Sequence, residues 1–435
     1  MPTAPGMRMP LVPYKVGQVT LEFGSSRVRA TTVAIDDPGP LERFLPESGP
    51  YAAFIRRGEG FIALGEVARF ETDFAAAADV WWSEISKQID HDSELFGMAG
   101  TGPLALGSFT FDPDRSQHTS VLSVPHTIVG KRDGQAWLTV MEPQGSIQLP
   151  PVGEPLISPV GVTLRDGSLS ERGWADIVSN VIDRIRGAQV HKVVLARDLL
   201  VTADEPIDLR HPYRRLLEGY PTTWCYLVDG MIGATPELLV RRIGGLVTSR
   251  VLAGTISVEP ERTDALNKAA ELARSEKDMA EHEFAVKSVA EALAPYCPAM
   301  NVPETPSVLP LPNVLHLATD ITGVASPDVS SLALAGALHP SAAVCGTPTH
   351  LALDLINELE GLDRGRYAGP VGWMDTQGDG EWVIALRGGQ VLPTSPEEIR
   401  LFAGAGIVAN SRPDAEVAET NAKLVPMLQA LGLAP

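Results

Sequence analysis

Three charged side chains near the C-terminus have the spacing of one helix face. Glu416, Glu419 and Lys423 occupy positions i, i+3 and i+7, so they project from the same side of a predicted helix. The strand-like run before this helix contains Gly404 and Gly406. Glycines let a small anion approach the backbone, and carboxylates beside them can hold a divalent cation. The alternative is a charged stripe on a solvated helix face.

A second predicted helix carries a similar acidic face. In the segment SEKDMAEHEF, Asp278 and Glu281 are three residues apart, and Ser275 is a candidate N-cap. If the two helices face each other, their carboxylates can bind Mg²⁺, which takes a few carboxylates together with waters. A solvated helix face is again the alternative. His282 has no second histidine at a zinc-ligand spacing, so we predict a supporting or structural role for it.

Two charged residues interrupt apolar strands. Lys192 begins the run KVVLAR, a predicted strand whose alternation puts Lys192, Val194 and Ala196 on one side. Desolvation there would lower the pKa of Lys192 and make it a usable base. Its alternative is a strand-edge lysine with the amine in water. Glu237 follows Pro236 in ATPELLV, where burial would raise its pKa and suit a general acid. The alternative for Glu237 is an ordinary turn residue.

Five further positions are ambiguous by themselves. His316, within VLHLAT, has the surroundings of a core histidine rather than a catalyst. Tyr367 and Arg387 can bind a carboxylate, Arg387 through its bidentate fork, or can be a core-edge tyrosine and a strand-end arginine. The strand end at Gly254–Thr255 indicates little alone, because glycines interrupt many strands.

Charge and cysteine content limit the classes of function. The 54 acidic residues outnumber the 35 basic ones and give a net charge of −19, which argues against nucleic acid or an anionic membrane as the main partner. An anionic substrate would then need local cations or a metal. Three widely spaced cysteines indicate unpaired thiols in a reducing compartment. With no membrane-length apolar run and no signal-peptide pattern, we predict a cytoplasmic enzyme.

The order of elements predicts an α+β fold. Residues 1–15 are predicted to be a flexible N-terminus and residues 16–435 a single domain, of which 16–169 are strand-rich scaffold. Helices are predicted in FAAAADVWWSEISKQI, after the N-cap candidate Ser170, in a long stretch broken near Arg274–Ser275, and from about Ala415. The strands, among them VTLEF, VRATTVAI, AAFIRR and KVVLAR, lack regular βαβ spacing. A large antiparallel sheet flanked by helices is therefore predicted.

Together the motifs resemble one family. KVVLAR, TPELL, LAGT, EKDMAEH, LHLATDITG, LHPSAAVCGTP, GRYAGPVGW, IALR and FAGAGIV…AEVAETNAKL occur in the order and spacing of the chorismate-utilising enzymes. That family includes isochorismate, salicylate, anthranilate and aminodeoxychorismate synthases. The resemblance covers residues 170–432, whereas residues 16–169 match only through GSFTFDP. It implies two stacked antiparallel β-sheets with helices outside and the active site in a cleft.

The resemblance also implies roles for individual residues. Glu281 and Glu419 resemble the ligands of a Mg²⁺ that binds the ring carboxylate of chorismate, with Asp278 and Glu416 close behind. Substrate contacts are implied for Lys423, Gly404, Tyr367, Arg387, Gly254, Thr255 and His316. The segment ISVEPER replaces the arginine-rich turn of the family, so no contact is assigned there.

Two positions discriminate within the family. Ammonia-using members carry Gln at the position of Lys192, and a Lys there goes with water as the nucleophile, which agrees with the need of water for a base. Members that eliminate pyruvate usually carry Thr at the position of Ala343. The resemblance therefore implies an isochorismate synthase in which Lys192 is the base and Glu237 the acid.

Other functions remain open at this point. Salicylate synthase shares Lys192 and Glu237 and is the first alternative. Aminodeoxychorismate synthase is the second and would require an amidotransferase partner, of which the chain shows no trace. A catalytically inactive chorismate-binding protein is the alternative of another class, although Lys192, Glu237 and the carboxylates are all present.

Overall fold

The chain forms two large β-sheets with helices on their outer faces. The computed structural model describes residues 27–95, 97–142, 147–187, 190–257, 265–310, 314–392 and 394–433. The strands are β1 (Val28–Ile35), β2 (Tyr51–Arg56), β3 (Glu59–Leu64), β4 (Ala68–Thr72), β5 (Ile89–Ser93), β6 (Leu104–Ser108), β7 (Ser120–Val124), β8 (Thr127–Arg132), β9 (Gln135–Met141), β10 (Thr163–Asp166), β11 (Lys192–Thr202), β12 (Trp224–Val228), β13 (Met231–Thr235), β14 (Leu238–Ile243), β15 (Leu246–Ser257), β16 (Ala299–Asn301), β17 (Ser307–Pro310), β18 (Val314–Val324), β19 (Gly346–Thr347), β20 (Pro370–Asp375), β21 (Gly380–Ile384), β22 (Gly388–Leu392) and β23 (Ser395–Ile407). The helices are α1 (Ala75–Ser86), α2 (Glu171–Arg186), α3 (Arg210–Gly219), α4 (Ala265–Arg274), α5 (Glu276–Leu293), α6 (Ser331–Leu338), α7 (Thr349–Leu359) and α8 (Pro413–Ala430), with a short 3-10 helix at Leu41–Phe44.

Both sheets are built from antiparallel pairs, except that β1 and β5 run parallel. The first sheet has the order β10-β11-β23-β22-β13-β12-β2-β3-β8-β9-β1-β5, and β19 pairs with the start of β11. The second has the order β16-β18-β15-β14-β21-β20-β6-β7-β4, and β17 pairs with β18. The predicted α+β fold with two antiparallel sheets is confirmed.

A core of large side chains lies between the sheets. Phe61 and Trp224 of the first sheet cluster with Leu106, Trp373 and Val383 of the second. The rings of Phe61 and Trp373 meet edge to face, with centroids 5.4 Å apart, an arrangement that aromatic pairs favour. The sheets therefore pack face to face.

The helices cover the outer faces. Helices α3 and α8 pack on the first sheet, where Leu424, Met427 and Leu428 of α8 enter its apolar cluster. Helices α1, α5 and α6 pack on the second sheet, while α2 and α7 contact β11. None of the helices in the described part of the chain combines the length and apolar composition of a membrane-spanning helix.

The predicted helices in the described residues are present, with shifts at two helix ends. The helix predicted in FAAAADVWWSEISKQI ends at Ser86, and Ile89 begins β5 instead. Ser170 caps α2, its hydroxyl accepting from Gly173 N at 3.2 Å, and the predicted break separates α4 from α5 at Ser275. The C-terminal helix begins at Pro413 rather than near Ala415, because proline is favoured in the first turn of a helix. The predicted strand VTLEF and the flexible residues 1–15 lie outside the described residues.

Candidate active site

Residues from both sheets and two outer helices line one cavity. Its walls include strands β11, β15, β18 and β23, the segments that follow β13 and β21, and one face each of α5 and α8. The predicted site residues on its walls are Lys192, Glu237, Gly254, Asp278, His316, Ala343, Tyr367, Arg387, Gly404, Glu416, Glu419 and Lys423. The side chains of Thr255 and Glu281 lie outside the described residues.

Lys192 is half-buried at the first position of β11, where it pairs with Thr347 of β19. Its side chain lies along Gly406, since a Cβ built at Gly406 would be 2.8 Å from Lys192 Cε and 3.4 Å from Nζ. Gly406 therefore makes room for the amine. Val194 and Ala196, two and four residues along the strand, line the same cavity, as the predicted alternation of side chains requires.

Glu237 lies on the cavity wall just after β13 and is 7% exposed. Within the described residues its carboxyl group accepts no hydrogen bond from the protein. Burial raises its pKa to about 7, although Lys192, Lys423 and Arg387 act in the opposite direction. A carboxyl group with this pKa is about half protonated near neutral pH, which suits a general acid.

One charged pair on α8 faces the glycine-containing end of β23. Lys423 Nζ donates to Glu419 Oε1 at 2.5 Å and to Gly404 O at 2.8 Å. Burial would raise the pKa of Glu419, but Lys423, Arg387 and Lys192 outweigh burial and hold that pKa below its usual value. Glu419 is therefore ionised at neutral pH, in a position where a cation or the lysine balances its charge.

Two more carboxylates line the same cavity. Glu416 is 8% exposed on the preceding turn of α8, and Asp278 faces the cavity from the first turn of α5. The Asp278 carboxylate accepts from the hydroxyl group of its N-cap, Ser275. Asp278 on α5 and Glu416 and Glu419 on α8 thus border a cavity and do not belong to solvated stripes.

Tyr367 and Arg387 present polar groups to the cavity. Tyr367 is buried and stacked on Phe402, with ring centroids 4.9 Å apart, and burial raises the pKa of its hydroxyl to about 12. Arg387 has a left-handed backbone, with φ of 51°, and burial lowers the pKa of its guanidinium. Neither side chain makes a hydrogen bond to the protein within the described residues, so both can bind a carboxylate.

The two histidines behave differently. His316 is buried on the cavity wall, and burial, with Arg387 and Lys423 nearby, lowers its pKa to about 3, so it is neutral at physiological pH. His282 lies behind the wall, with Nδ1 3.2 Å from Ala253 O and Nε2 2.7 Å from Thr319 Oγ1. The predicted supporting role of His282 is consistent with these contacts.

A bulge in β15 brings α5 close to the cavity. The register between β15 and β18 shifts at Gly254, which has a φ of 77°, and a Cβ there would lie 3.0 Å from Asp278 Cβ. A positive φ and this close approach both favour glycine.

Sequence reasoning missed a buried ion pair at the cavity wall, which Arg364 helps to line. Arg364 donates from Nε and Nη2 to the two Glu360 oxygens, both at 2.6 Å. The same guanidinium donates to Val194 O at 2.7 Å and Val344 O at 2.9 Å, and Glu360 Oε2 accepts from Ala196 N at 2.7 Å. The pair holds β11 and the loop after Ala343 together. A Glu and an Arg four residues apart were the only sequence sign of it.

Comparison with known proteins identifies the family. Residues 157–432 match a sequence model described as "Chorismate binding enzyme". The chain belongs to the chorismate-binding enzyme family. Isochorismate synthase DhbC of Bacillus subtilis is 40% identical over 268 residues, covering 59% of this chain and 67% of the relative. Isochorismate synthase MenF of the same organism is 31% identical over 405 residues and covers 85% of each chain.

A solved structure has the same fold as this chain. The menaquinone-specific isochorismate synthase MenF from Escherichia coli superposes with a TM-score of 0.78 at 22% identity, covering 93% of this chain and 95% of that one. At this identity the likeness concerns the fold alone. The expected chorismate-utilising fold is thereby confirmed.

Proposed function

We propose that this chain is an isomerase that converts chorismate to isochorismate, adding water at C2 with loss of the 4-hydroxyl group. The observation that carries the proposal is the placement of Lys192 and Glu237 on the walls of one cavity. One is an amine beside Gly406, and the other is a buried carboxyl group with a pKa of about 7. The named isochorismate synthases among its relatives support this assignment.

Lys192 and Glu237 each carry out one proton transfer of the reaction. The Lys192 amine takes a proton from a water, whose oxygen forms the bond to C2 as the ring double bonds shift. Glu237 gives its proton to the 4-oxygen, and the C4–O bond breaks with water as the leaving group. Because water is the nucleophile, no amidotransferase subunit is needed.

The cavity walls are also suited to the carboxylates of the substrate. Arg387 and Tyr367 offer donors to the enolpyruvyl carboxylate, and Lys423 with the Gly404 backbone lies beside the position proposed for the ring carboxylate. Gly254, His316 and Ala343 line the remaining wall. Neutral His316 adds no charge, so binding of the dianion depends on the two cationic side chains and on a metal.

The donor set fits Mg²⁺. Asp278, Glu416 and Glu419 lie on the wall of one cavity and come from two helices. Among the described residues no three His, Cys, Asp or Glu side chains are close enough to hold a metal between them. Mg²⁺ often uses only one or two protein carboxylates and fills its other positions with water and substrate, so the proposal rests on the placement of these carboxylates on one cavity wall. We propose Glu419 and Glu281 as ligands, with Asp278 and Glu416 in support. The bound ion would supply positive charge to the ring carboxylate.

Removal of the metal tests this assignment. Excess EDTA is expected to abolish turnover, and Glu419→Gln to lower kcat/KM by about 100-fold or more, the scale for losing an electrostatic contact to the reacting substrate. Calorimetric titration of Mg²⁺ should show weaker binding to the variant. Asp414→Asn, on the exposed side of α8, is the control and should match the parent. Full activity in EDTA would refute the metal site.

Product analysis tests the reaction itself. With chorismate and Mg²⁺ at neutral pH, chromatography should show isochorismate in equilibrium with chorismate. A coupled lactate dehydrogenase assay should detect pyruvate only in traces, because Ala343 lacks the bulk and hydroxyl group of Thr. Stoichiometric pyruvate with salicylate would instead identify a salicylate synthase.

A further inference from the structure

Glu237 lies between two cavities. Besides the large cavity that holds Lys192, it lines a small one with Ser249, Arg250, Ser341 and Ala343. The small cavity has a volume of about 10 Å³, and a single water needs roughly 10–15 Å³. A site for one water therefore adjoins Glu237 on the wall between the two cavities.

Ser341 contributes a hydroxyl group to the wall of the small cavity. It is 7% exposed, and its Oγ has no hydrogen-bond partner within the described residues. Its backbone is fixed, because Ser341 O accepts from Val344 N at 3.1 Å and from Cys345 N at 3.0 Å. The neighbouring Ser249 Oγ already donates to Leu239 O at 2.6 Å. Because buried hydroxyl groups are nearly always hydrogen-bonded, we expect the Ser341 hydroxyl to have a hydrogen-bond partner in this cavity.

We infer that a water in the small cavity bridges Ser341 Oγ to the carboxyl group of Glu237, which makes Ser341 a positioning residue for the general acid. The inference rests on the proposed function. The bridge gives the carboxyl group one fixed orientation toward the large cavity, where its remaining contacts are with substrate. Among the described residues no side chain donates a hydrogen bond directly to the Glu237 carboxyl group and fixes its orientation.

The bridging water also provides a route for the proton that Glu237 must regain. In each turnover Glu237 loses a proton to the departing 4-hydroxyl group, while Lys192 gains one from the attacking water. The water in the small cavity passes one of its protons to the Glu237 carboxylate and takes a replacement from solvent. Lys192 returns its proton to solvent, so the water is regenerated and no net proton is consumed. Arg250 lines the small cavity, and its side chain is 23% exposed and paired with Asp320, which places solvent one side chain away.

The charges around Glu237 come from several elements. The basic side chains on the walls around it are Lys192, Lys423, Arg387 and Arg364 on the side of the large cavity and Arg250 on that of the small one. The other titratable groups on these walls are Tyr367, His316, Asp278, Glu416 and Glu419. Ser341→Ala changes none of them. A shift in the titration of Glu237 in that variant would therefore report the lost hydrogen bond.

The test compares two buried serines that both lack a protein partner. Ser108 is fully buried, and its Oγ is likewise unpartnered within the described residues, but it lines neither cavity. We expect Ser341→Ala to lower kcat about tenfold, the size of one hydrogen bond to a charged group, with little change in KM. The alkaline limb of the pH–rate profile should move to higher pH, because the carboxylate loses a donor. Ser108→Ala should match the parent, and Ser341→Thr, which keeps the hydroxyl group, should retain most of kcat.

An infrared measurement separates this inference from the proposed reaction. The C=O stretch of protonated Glu237, assigned by its loss in Glu237→Gln, should rise in frequency in Ser341→Ala and stay unchanged in Ser108→Ala. This readout needs no turnover, so it holds even if the product is not isochorismate. An unchanged stretch in Ser341→Ala, or a kcat equal to that of Ser108→Ala, would overturn the inference.

Discussion

Lys192→Gln is expected to lower the rate of water addition by about 10²- to 10⁴-fold, the usual contribution of a general base. The amide cannot take a proton from water, whereas it fits a half-buried strand position beside Gly406. Isochorismate formation should be measured by chromatography together with the melting temperature, which we expect to change little. Ammonium salts should also be supplied, because Gln stands at this position in ammonia-using members of the family.

Two further variants test whether the effect of Lys192→Gln depends on the amine at this position. Lys287→Gln, on an exposed part of α5, removes a lysine charge away from the cavity and should leave the rate unchanged. Gly406→Ala keeps Lys192 but places a methyl group 2.8 Å from its Cε. The flexible side chain must then move, and such a displacement can cost up to about 100-fold. Isochorismate production by Lys192→Gln at nearly the parent rate would exclude Lys192 as the base.

The sequence allowed local elements and motif residues to be predicted well. Helix α2 was located through Ser170, and the break at Ser275 through its N-cap pattern, because capping is decided within one turn. Lys192, Val194 and Ala196 were placed on one side of a strand, and all three line the cavity. That Glu416 and Asp278 border the same cavity followed only from the resemblance, since spacing along each helix was equally consistent with solvent.

The buried contacts that hold the site residues in place could not be predicted from the sequence in the same way. The Glu360–Arg364 pair acts through the backbone of Val194 and Ala196, more than 160 residues earlier in the chain. Arg197, which is buried and donates to Thr420 Oγ1 at 3.0 Å, fixes α8 to β11 over a similar separation. Such contacts depend on how distant strands pair, and nothing in the local pattern of charges encodes that pairing.

Glu237→Gln is expected to have the second large effect on catalysis. The amide has no proton of suitable acidity to give to the departing 4-hydroxyl group, so kcat should fall by about 10²- to 10⁴-fold. In the parent, kcat/KM should decline as pH rises through about 7, because the acid form of Glu237 is lost there. The variant should lack this decline. A parent profile that is flat from pH 6 to 9, or a variant with parental kcat, would contradict the assignment of Glu237 as the acid.

Glu237→Gln should lower activity but raise the stability of the folded chain at alkaline pH. The pKa of Glu237 is about 7 in the folded chain and 4.5 for an unperturbed group, so the folded state binds more protons between these values. Stability is therefore lost as pH rises from 4.5 to 7, by about 3 kcal/mol at about 1.4 kcal/mol per pKa unit. Gln carries no charge to bury, so Glu237→Gln should melt at a higher temperature than the parent at pH 8, whereas the two should differ little at pH 4.5. Equal melting temperatures at pH 8 would show that the buried carboxylate is solvated or paired, and that its pKa cannot make it the proton donor.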